Sequence, residues 1–430
     1  SIKYFKKAIE IKPDYYIFYN NLGNAYKEIN DYDLAIIYYN DSLSLNPNYC
    51  ETYYSLGIIY YEQNLIDSAI KYVEVSLKIF PKYAEGNNLL GILMKEKKLI
   101  ELATVLQKKA VQYNPNYYDG YWNLSLSLLL SENYKEGLKF YEYRSSNDNS
   151  YFCHAKPSLG KWTENKPIKG DKLLIVSEQG LGDTVQFMRY VIYLQNQGVD
   201  ISFCAQEKLH TLIKSSTKNL PIISPKEIDL IKEGQWLPLL SLPKYLGVCP
   251  ENPIINQPYL FPNDQLIQKW RTIFKLETKP VIGINWQGNP TVEKTALRGR
   301  SIPLESFAPI AKKMKAKFVS VQKGFGSEQL KDCSFPEAFV DCQSQVEQIL
   351  DFEETAAIIA SCDLIITTDT VVAHLAGGLG KKTYLLTQYV PDWRWGLEKE
   401  TTFWYPSIKL FRQTRRNEWN NVINRILFEL

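Results

Sequence analysis

The chain has 430 residues, a length that predicts roughly two to four domains. Apolar residues make up 45% of the sequence, enough for several buried cores, which excludes a disordered chain. Because 50 lysines and arginines oppose 47 aspartates and glutamates, the net charge is only +3, and we expect no nucleic-acid partner.

The seven cysteines are far apart and form no CxxC pair, so the sequence indicates neither a disulfide framework nor a zinc site. No stretch approaches the roughly 18 consecutive apolar residues of a membrane-spanning helix. The first residues, SIKYFKKAIEIKP, are typical of an amphipathic helix and not of a signal sequence. We therefore expect a cytoplasmic protein without a transmembrane segment.

The first third of the chain repeats with a period of 34 residues. Proline recurs at this period, at Pro13, Pro47, Pro81 and Pro115. Glycine or serine after leucine recurs with it at Gly23, Gly57, Gly91 and Ser125, and a second column of small residues lies at Ala35, Ala69, Ala103 and Gly137. Small residues let two helices pack closely, and proline ends one repeat before the next begins.

This pattern resembles the tetratricopeptide repeat (TPR), a pair of antiparallel helices, over residues 1–146. Ala8 occupies a late-helix position with no first helix before it, so the chain is expected to begin in the middle of a repeat. Such an array serves as a scaffold or holds a peptide in a groove, and the sequence leaves both alternatives open. In either case we expect a protein or peptide partner.

A junction is expected over residues 147–170, where the periodicity disappears. Beyond it, short apolar runs alternate with helical stretches. Strands are predicted at 172–180 and 199–206, with a helix at 182–197 between them. These elements form a βαβ unit.

A second series of the same kind follows. Strands are predicted at 281–288, 317–324, 364–369, 383–388 and 408–413, and helices at 304–316, 351–362, 370–379 and the carboxyl end. Strands that alternate with helices imply parallel sheets. We therefore predict two α/β domains, at 171–265 and 266–430, whose strand ends face a shared cleft.

The first candidate site is the turn Gly180, Leu181, Gly182 and Asp183, between the first predicted strand and its helix. Glycines there permit a tight turn, and the helix N-terminus offers free N–H groups to a substrate. Val185 replaces the third glycine of a dinucleotide-binding fingerprint. The alternative role for Asp183 is to cap the helix.

The second candidate site lies where a strongly apolar predicted strand meets a helix rich in small residues. Asp369, Thr370 and His374 stand at this position. Thr370 and His374 fall one helical turn apart on the same face, beside amides able to hold a phosphate. The alternative is that Asp369 caps the helix and His374 forms a hydrogen bond in a core.

Charged side chains follow two other predicted strands. Lys323, Gly324 and Glu328 follow one strand, and residues 285–289 with Arg298 and Arg300 follow another. Cations beside glycines suit the charge that develops on a diphosphate leaving group. Ordinary solvated loop charges are the alternative.

An aromatic segment near the carboxyl end is a further candidate. Asp392, Trp393, Arg394 and Trp395 are consecutive in the chain, and Trp404 and Tyr405 follow them. Their rings suit stacking on a base or a sugar, and equally suit a packed lid.

Six motifs together carry a second resemblance: EQGLGD at 178–183, WQGN at 286–289, RSIPL at 300–304, SVQKG at 320–324, DTVVAHLAGGLG at 369–380 and DWRW at 392–395. From about residue 160 to 430 the chain resembles the catalytic region of bacterial TPR-containing glycosyltransferases, which is similar to the heptosyltransferase family (glycosyltransferase family 9). The resemblance implies an α + α/β protein, with a TPR α-solenoid followed by a GT-B glycosyltransferase of two Rossmann-like domains. The N-terminal domain of such a pair would bind the acceptor and the C-terminal domain the nucleotide-sugar donor.

The resemblance also implies residue roles. Asp183 matches the acidic residue proposed as the general base, and Glu328 matches the acid that contacts the donor ribose. Residues 369–374 match a D-[TS]-G-x-x-H donor-binding motif, in which Val371 replaces the glycine. The implied donor-binding residues are Asn285, Gln287, Lys323, Gly324, Glu328, Asp369, Thr370, Val371 and His374. Those of the acceptor-side turn are Gln179, Gly180 and Gly182, and those that contact phosphate or form a lid are Arg300, Trp393 and Arg394.

The activity implied is that of an inverting glycosyltransferase that uses a nucleotide-sugar donor and needs neither a metal nor another cofactor. The expected acceptor is a protein side chain recruited by the TPR array. The DxD sequence at Asp31 and Asp33 lies in a repeat turn and is not expected to bind a metal. The alternative is a catalytically inactive scaffold for protein–protein interaction, which Val371 favours and the other motif residues disfavour.

Overall fold

The computed structural model describes residues 1–145, 153–163, 165–295 and 298–430. One compact unit is formed by Ser1–Ser131 and a segment that begins at Lys139. The other consists of Glu132–Leu138 and the chain beyond the junction. Of the junction predicted at 147–170, residues 147–152 and Glu164 lie outside the described residues.

Antiparallel helices build the first unit. Their bounds are α1 Ile2–Ile11, α2 Tyr16–Glu28, α3 Tyr32–Leu45, α4 Cys50–Glu62, α5 Ile66–Ile79, α6 Ala84–Glu96, α7 Ile100–Tyr113 and α8 Tyr118–Leu130. A further helix, α9 Tyr134–Tyr141, begins in the segment that belongs to the second unit and ends in the first. Helices α2 and α3, α4 and α5, and α6 and α7 pack as pairs, as the 34-residue period predicts.

Small residues allow the close approach within each pair. A Cβ built on Gly57 would lie 2.5 Å from Val73 Cγ2, and one on Gly91 would lie 2.6 Å from Gln107 Cγ. The second column of small residues is fully buried, with 0% exposure at Ala35, Ala69 and Ala103. The structure therefore confirms the prediction that small residues in these columns let the two helices of a repeat pack closely.

The turn inside each pair carries a feature that the sequence analysis did not predict. Asn30, Asn64, Lys98 and Glu132 recur at the repeat period, and all adopt left-handed backbone conformations with φ of 61° to 63°. A left-handed residue reverses the chain after a helix, and asparagine tolerates that conformation better than lysine or glutamate. The sequence analysis missed this recurring turn residue because lysine and glutamate occupy two of its four positions.

A parallel sheet of four strands lies in the first half of the second unit. The elements there are β1 Lys172–Val176, α10 Leu181–Asn196, β2 Asp200–Cys204, α11 His210–Ser216, β3 Ile222–Ile223, β4 Gln235–Pro238 and α12 Leu242–Leu246. The strand order is β3-β2-β1-β4. The βαβ unit from β1 to β2 is confirmed, whereas β3 and β4 were not predicted because they are short and lack an apolar run.

A second parallel sheet has five strands in the order β6-β5-β7-β8-β9. The elements there are α13 Asp264–Phe274, β5 Val281–Asn285, α14 Pro290–Thr295, α15 Ala308–Lys313, β6 Lys317–Ser320, α16 Gln343–Gln348, α17 Phe352–Ser361, β7 Leu364–Thr368, α18 Val371–Gly378, β8 Thr383–Thr387, β9 Ile408–Arg412 and α19 Trp419–Glu429. Strands β5, β7 and β8 are buried along their whole length, as strands covered on both faces must be.

Two predicted elements are shorter than expected. The strand predicted at 172–180 ends at Val176, because the following residues form the turn into α10. The helix predicted at 304–316 is an α-helix only from Ala308, preceded by a 3-10 turn. Pro309 explains this start, since proline is tolerated only in the first turn of an α-helix.

Three general properties concern the described part of the chain. No helix there combines the length and the apolar character needed to cross a bilayer. All seven cysteines fall within it and are free thiols. No group of three or more His, Cys, Asp or Glu side chains is arranged there to hold a metal ion.

Candidate functional site

The first candidate site forms at the carboxyl end of β1, where the chain turns into α10. Gln179 adopts a left-handed conformation there, with φ of 59°, which costs energy for a residue other than glycine. Gly180 follows and is exposed. The residues predicted for the acceptor side, Gln179, Gly180, Gly182 and Asp183, therefore occupy one strand-to-helix turn.

Asp183 lies in the first turn of α10 and not at its cap. Its Oδ2 accepts a hydrogen bond of 2.9 Å from the backbone N–H of Gly180, which occupies the N-cap position. Asp183 is therefore not the N-cap residue, but it stands at N3 and its carboxylate takes part in the capping box of α10. One carboxylate oxygen is thus fixed by the backbone of its own turn.

Arg394 holds the other carboxylate oxygen. Its Nη2 donates to Asp183 Oδ1 at 2.5 Å, its Nη1 donates to Asp392 Oδ1 at 2.9 Å, and its Nε donates to Gln186 Oε1 at 2.6 Å. The guanidinium also lies 4.7 Å from the centre of the Trp393 ring. Such a planar fork orients a carboxylate more tightly than a single ammonium donor can.

Two carboxyl groups of the site are less acidic than usual. Burial raises the pKa of Asp183, although the charge of Arg394 acts in the opposite direction. Burial likewise raises the pKa of Asp369 to about 6, with the Asp392 carboxylate adding to the effect and Arg300 opposing it. Carboxyl groups with raised pKa values concentrate at functional sites, and here they stand at the N-terminal ends of α10 and α18.

The second candidate site begins at the carboxyl end of β7. Thr370 is the N-cap of α18, since its Oγ1 accepts a hydrogen bond of 3.3 Å from Val372 N. The same hydroxyl donates to Asn285 Oδ1 at 2.9 Å, which connects the ends of β7 and β5. The alternative that Asp369 caps the helix is therefore wrong. Val371, which stands where the motif has glycine, is the first residue of α18.

His374 is a buried residue of α18 with 6% exposure. Its Nδ1 shares a hydrogen bond of 3.0 Å with Tyr405 Oη, and its ring stacks on Trp395 at 5.5 Å between centroids. Burial, together with the charges of Arg394 and Arg189, lowers the pKa of His374 well below its ordinary value, so the imidazole is neutral. No protein group in the described structure bonds to its Nε2.

The two candidate sites meet at Gly182. A Cβ built on Gly182 would lie 2.9 Å from His374 Cδ2 and 3.5 Å from the Cα of Val371. Only glycine permits the N-terminus of α10 to approach the N-terminus of α18 this closely. The predicted acceptor-side turn therefore lies beside two predicted donor-binding residues, His374 and Val371. The two helices belong to different sheets, since α10 connects β1 to β2 and α18 connects β7 to β8.

A buried arginine that the sequence analysis missed lies nearby. Arg189 is 0% exposed, and its Nη1 donates to the backbone oxygens of Trp404 at 2.7 Å and Ile255 at 3.2 Å. Its Nη2 donates to Tyr259 Oη at 3.2 Å, and the guanidinium lies 4.4 Å from the centre of the Tyr405 ring. Carbonyl oxygens, a phenol and ring faces thus compensate the buried charge. An arginine within a helix has no sequence motif by which it could have been found.

Lys323, Gly324 and Glu328 form a separate group after β6. Lys323 is half-buried, its ammonium donates to the backbone oxygen of Val346, and burial lowers its pKa. Gly324 is exposed with φ of 66°, and Glu328 is exposed in a short 3-10 helix. In the described structure no hydrogen bond or ion pair joins this group to the N-termini of α10 and α18.

Gln322 organises the loop after β5 and was also missed. Its Oε1 accepts hydrogen bonds from Asn285 Nδ2 at 2.8 Å, Trp286 N at 3.1 Å and Gln287 N at 3.0 Å. Its Nε2 donates to the backbone oxygens of Gln287 at 3.0 Å and Phe325 at 2.6 Å. A buried amide with all its positions in use fixes two strand-end loops together. The SVQKG motif contains this glutamine, but the sequence analysis assigned a donor-binding role only to the neighbouring lysine and glycine.

Arg300 and Trp393 are packed within the same unit. Arg300 Nε pairs with Glu293 Oε1 at 3.2 Å, and its Nη1 donates to the backbone oxygen of Asp369 at 3.1 Å. A Cβ built on Gly288 would lie 2.4 Å from Arg300 Nε, so the loop leaves no room for another residue. Trp393 is 4% exposed. The packed arrangement considered for the aromatic segment is the one observed.

The tetratricopeptide repeat family matches residues 16–49 and again residues 51–83. The chain is also similar to Protein FlbA of Caulobacter vibrioides, with 24% identity over 321 residues. This match covers 68% of the chain and 51% of FlbA, so the chain spans about half the length of this curated relative.

Solved structures resemble part of the chain. YrrB, described as a TPR protein with an unusual peptide-binding site, is 22% identical with a TM-score of 0.30, and the match covers 35% of this chain and 77% of YrrB. Pseudomonas aeruginosa PilF is 18% identical with a TM-score of 0.30, covering 32% of this chain and 64% of PilF. The family matches, together with the helix pairs, identify the N-terminal part as TPR repeats, an architecture of protein–protein interaction, followed by a region of parallel sheets and helices.

Proposed function

We propose that the chain is an inverting glycosyltransferase of GT-B architecture that moves a sugar from a nucleotide-sugar to a polypeptide acceptor recruited by the TPR repeats. The observation that supports this most strongly is the contact of the α10 N-terminus with the α18 N-terminus at Gly182. It brings a carboxylate with raised pKa and a helix N-terminus suited to phosphate into one place, each at the carboxyl end of a parallel strand.

Asp183 acts as the base in this proposal. The acceptor hydroxyl attacks the anomeric carbon of the donor and gives its proton to the Asp183 carboxylate. The bond from that carbon to the diphosphate oxygen breaks, and its electron pair leaves with the nucleoside diphosphate. A raised pKa suits this role, because a base accepts a proton best when its pKa approaches the working pH. Arg394 positions the carboxylate.

The N-terminus of α18 receives the leaving group in this proposal. The positive end of the helix dipole and the amide of Val371 favour the diphosphate charge. When Tyr405 donates to His374 Nδ1, the proton of the neutral imidazole is on Nε2, which can then donate to a phosphate oxygen. Asn285 holds the Thr370 hydroxyl and thereby the start of the helix.

A substitution of the base tests the chemistry. Asp183→Asn should reduce sugar transfer at least about 100-fold, since general-base catalysis contributes that much or more. Nucleotide affinity measured by calorimetry should change little, because Asp183 lies on the acceptor side. Asp200→Asn, at an exposed position at the start of β2, is the matched control and should retain full activity. Full transfer by the Asp183 variant would refute the assignment.

A specific observation supports a second candidate function, an inactive scaffold. Three cations expected near a diphosphate are already engaged by protein groups: Lys323 with Val346, Arg300 with Glu293, and Arg394 with Asp183. The scaffold requires no rearrangement of these contacts, whereas the transferase requires the helix N-terminus to carry most of the phosphate charge. Titration with UDP, ADP, GDP and CDP separates the two, since a failure of all four to bind would leave only the scaffold.

A further inference from the structure

The TPR array carries an acidic column that the sequence analysis did not use. Glu51, Glu85 and Asp119 recur at the 34-residue period, on helices α4, α6 and α8. In the described structure, neither Glu51 nor Glu85 forms an ion pair with a lysine or an arginine. Equivalent positions in successive repeats therefore carry negative charge. In the described residues, the charges of Glu51 and Glu85 are not neutralised by a lysine or an arginine.

Tyrosines lie between these carboxylates. The rings of Tyr54 and Tyr83 meet edge-on, with 5.2 Å between their centroids, and no described protein group bonds to either hydroxyl. Burial raises the pKa of Tyr54 to about 12, and the charges of Glu85 and Asp119 act in the same direction. Burial and nearby carboxylates also raise the pKa of Tyr117. Acidic groups from successive repeats thus act on one cluster of phenols.

A buried amide in this cluster lacks one of its partners. Asn88 is 4% exposed, and its Nδ2 donates to Tyr117 Oη at 3.0 Å. Its Oδ1 is buried and accepts no hydrogen bond. A buried acceptor left unpaired is unfavourable, and an N–H donor of a bound segment that reaches Asn88 would remove this penalty.

We propose that a lysine- or arginine-bearing polypeptide segment binds to an acidic tyrosine surface formed by Glu51, Tyr54, Tyr83, Glu85, Asn88 and Asp119. Cations are attracted both by carboxylates and by the faces of tyrosine rings, so one guest satisfies both features of the surface. The hydroxyls of Tyr54 and Tyr83 add donors and acceptors for a peptide backbone. The assignment of this surface to the polypeptide acceptor of the transferase rests on the proposed function.

The repeat geometry indicates how the cations should be spaced. Helix α4 contacts α6, and α6 contacts α8. Packed helices lie about 8–10 Å apart, and an extended chain advances about 3.3 Å per residue. A cation at about every third residue would therefore meet one carboxylate in each successive repeat. A segment with its cations clustered at one end would meet only one of them.

Fluorescence anisotropy on the full chain tests this inference without any nucleotide-sugar. The probe is a labelled nine-residue peptide of alanine and serine with lysine at positions 1, 4 and 7, compared with the same peptide bearing glutamate at those positions. We expect the lysine peptide to bind at low salt and more weakly as salt rises, and the glutamate peptide not to bind. Equal binding of both peptides, or none of the lysine peptide, would overturn the proposal.

Charge variants localise the binding. The double variant Glu51→Gln and Glu85→Gln should weaken lysine-peptide binding by about 2- to 30-fold, because each exposed charge pair contributes a factor of about 1.4 to 5. The matched control, Glu74→Gln with Glu101→Gln, removes two exposed charges from α5 and α7 and should leave the affinity unchanged. Equal loss in both double variants would contradict a defined surface.

Charge reversal gives a readout that a folding defect cannot imitate. Glu85→Lys should weaken the lysine peptide and strengthen the glutamate peptide. If the chain prefers the lysine peptide and Glu85→Lys reverses this preference, but no transferase activity is found, the proposed function is refuted and the proposed binding surface is supported. Transferase activity combined with no preference for lysine would refute the surface and leave the enzyme intact.

Discussion

Arg394 connects α10 with the aromatic segment after β8, because its single guanidinium contacts Asp183 and Gln186 on α10 while the residue itself follows β8. Its side chain is 8% exposed and that of Asp183 is 19% exposed, so the pair is well shielded from water. The Coulomb attraction is therefore little screened, and removing one partner leaves a buried charge.

Arg394→Met should lower the free energy of unfolding by about 3–5 kcal/mol, because Asp183 then keeps a buried charge without a cation. Asp183→Asn in that background should cost much less than Asp183→Asn alone, with a coupling of about 1–3 kcal/mol. Urea denaturation of the four proteins of this cycle measures both quantities. The exposed Arg415 provides the control, since Arg415→Met should change stability little. Additive effects at Arg394 and Asp183 would contradict a stabilising ion pair.

Asp369 predicts a pH dependence of stability. Its pKa is raised from 3.8 to about 6 in the folded protein. Between these values the folded state binds more protons than the unfolded state, so this residue adds stability as the pH falls from about 6 to about 4. The full effect is about 3 kcal/mol if Asp369 alone carries the shift.

Asp369→Asn removes this titration and isolates it from all others. The difference in unfolding free energy between the natural chain and the variant should move in favour of the natural chain as the pH decreases from 6.5 to 4. Denaturation at a series of pH values measures the difference. A difference that is constant over this range, or that moves in the opposite direction, would contradict a raised pKa at Asp369.

Single residues of the site were predictable only where a local pattern marked them. Asp183 and His374 were found because each stands where an apolar strand gives way to a helix, and the structure brings their helices together at Gly182. Gln322 and Arg189 were missed, since their importance comes from partners distant in the chain. The N-cap residues are Gly180 and Thr370 and not the aspartates, although Asp183 still takes part in the capping of α10 from position N3.

At the scale of the helix pair, one polar residue conflicts with its position. Gln107 of α7 occupies the column held by Tyr39 and Val73 in the preceding repeats. It is 0% exposed, and neither its Oε1 nor its Nε2 has a hydrogen-bond partner. The amide is therefore desolvated without compensation.

Gln107→Met should increase the stability of the array by about 1–3 kcal/mol, because methionine keeps the unbranched shape and removes the unpaired amide. Thermal or urea unfolding followed by far-ultraviolet circular dichroism measures the gain. Gln63→Met, at the exposed end of α4, is the control and should be nearly neutral. A loss of stability at Gln107 would show that the amide makes contacts that the array requires.

Elements were predictable in proportion to their regularity. The helix pairs of the array follow a 34-residue period, and β5, β7 and β8 each contain a short apolar run, so both kinds of element were predicted near their observed positions. Strand β3 has only two residues and β4 contains a proline, which leaves too little pattern to recognise. Such strands exist because neighbouring strands of the sheet pair with them and not because of their own composition.

At the scale of the whole molecule, the chain contains two compact units. The array buries residues such as Leu56 and Ile59 in clusters of its own, whereas the second sheet surrounds a separate core that includes Trp286 and Phe307. Units with separate cores unfold as separate cooperative steps when each is stable by itself. A single unfolding free energy then does not describe the chain, and the variants at Gln107 and Arg394 must be assigned to a step.

Differential scanning calorimetry should therefore resolve two transitions. Gln107→Met should raise the midpoint of one transition and leave the other unchanged, because Gln107 lies in the array. Arg394→Met should lower the midpoint of the other transition, because its partners Asp183 and Gln186 lie in the second unit. A nucleoside diphosphate that binds as proposed should raise only the transition that Arg394→Met lowers, since a ligand stabilises the unit that holds it. If Gln107→Met, Arg394→Met and the nucleotide all shift one single transition, the two units unfold together. If the nucleotide shifts only the transition of the array, the nucleotide does not bind at α18.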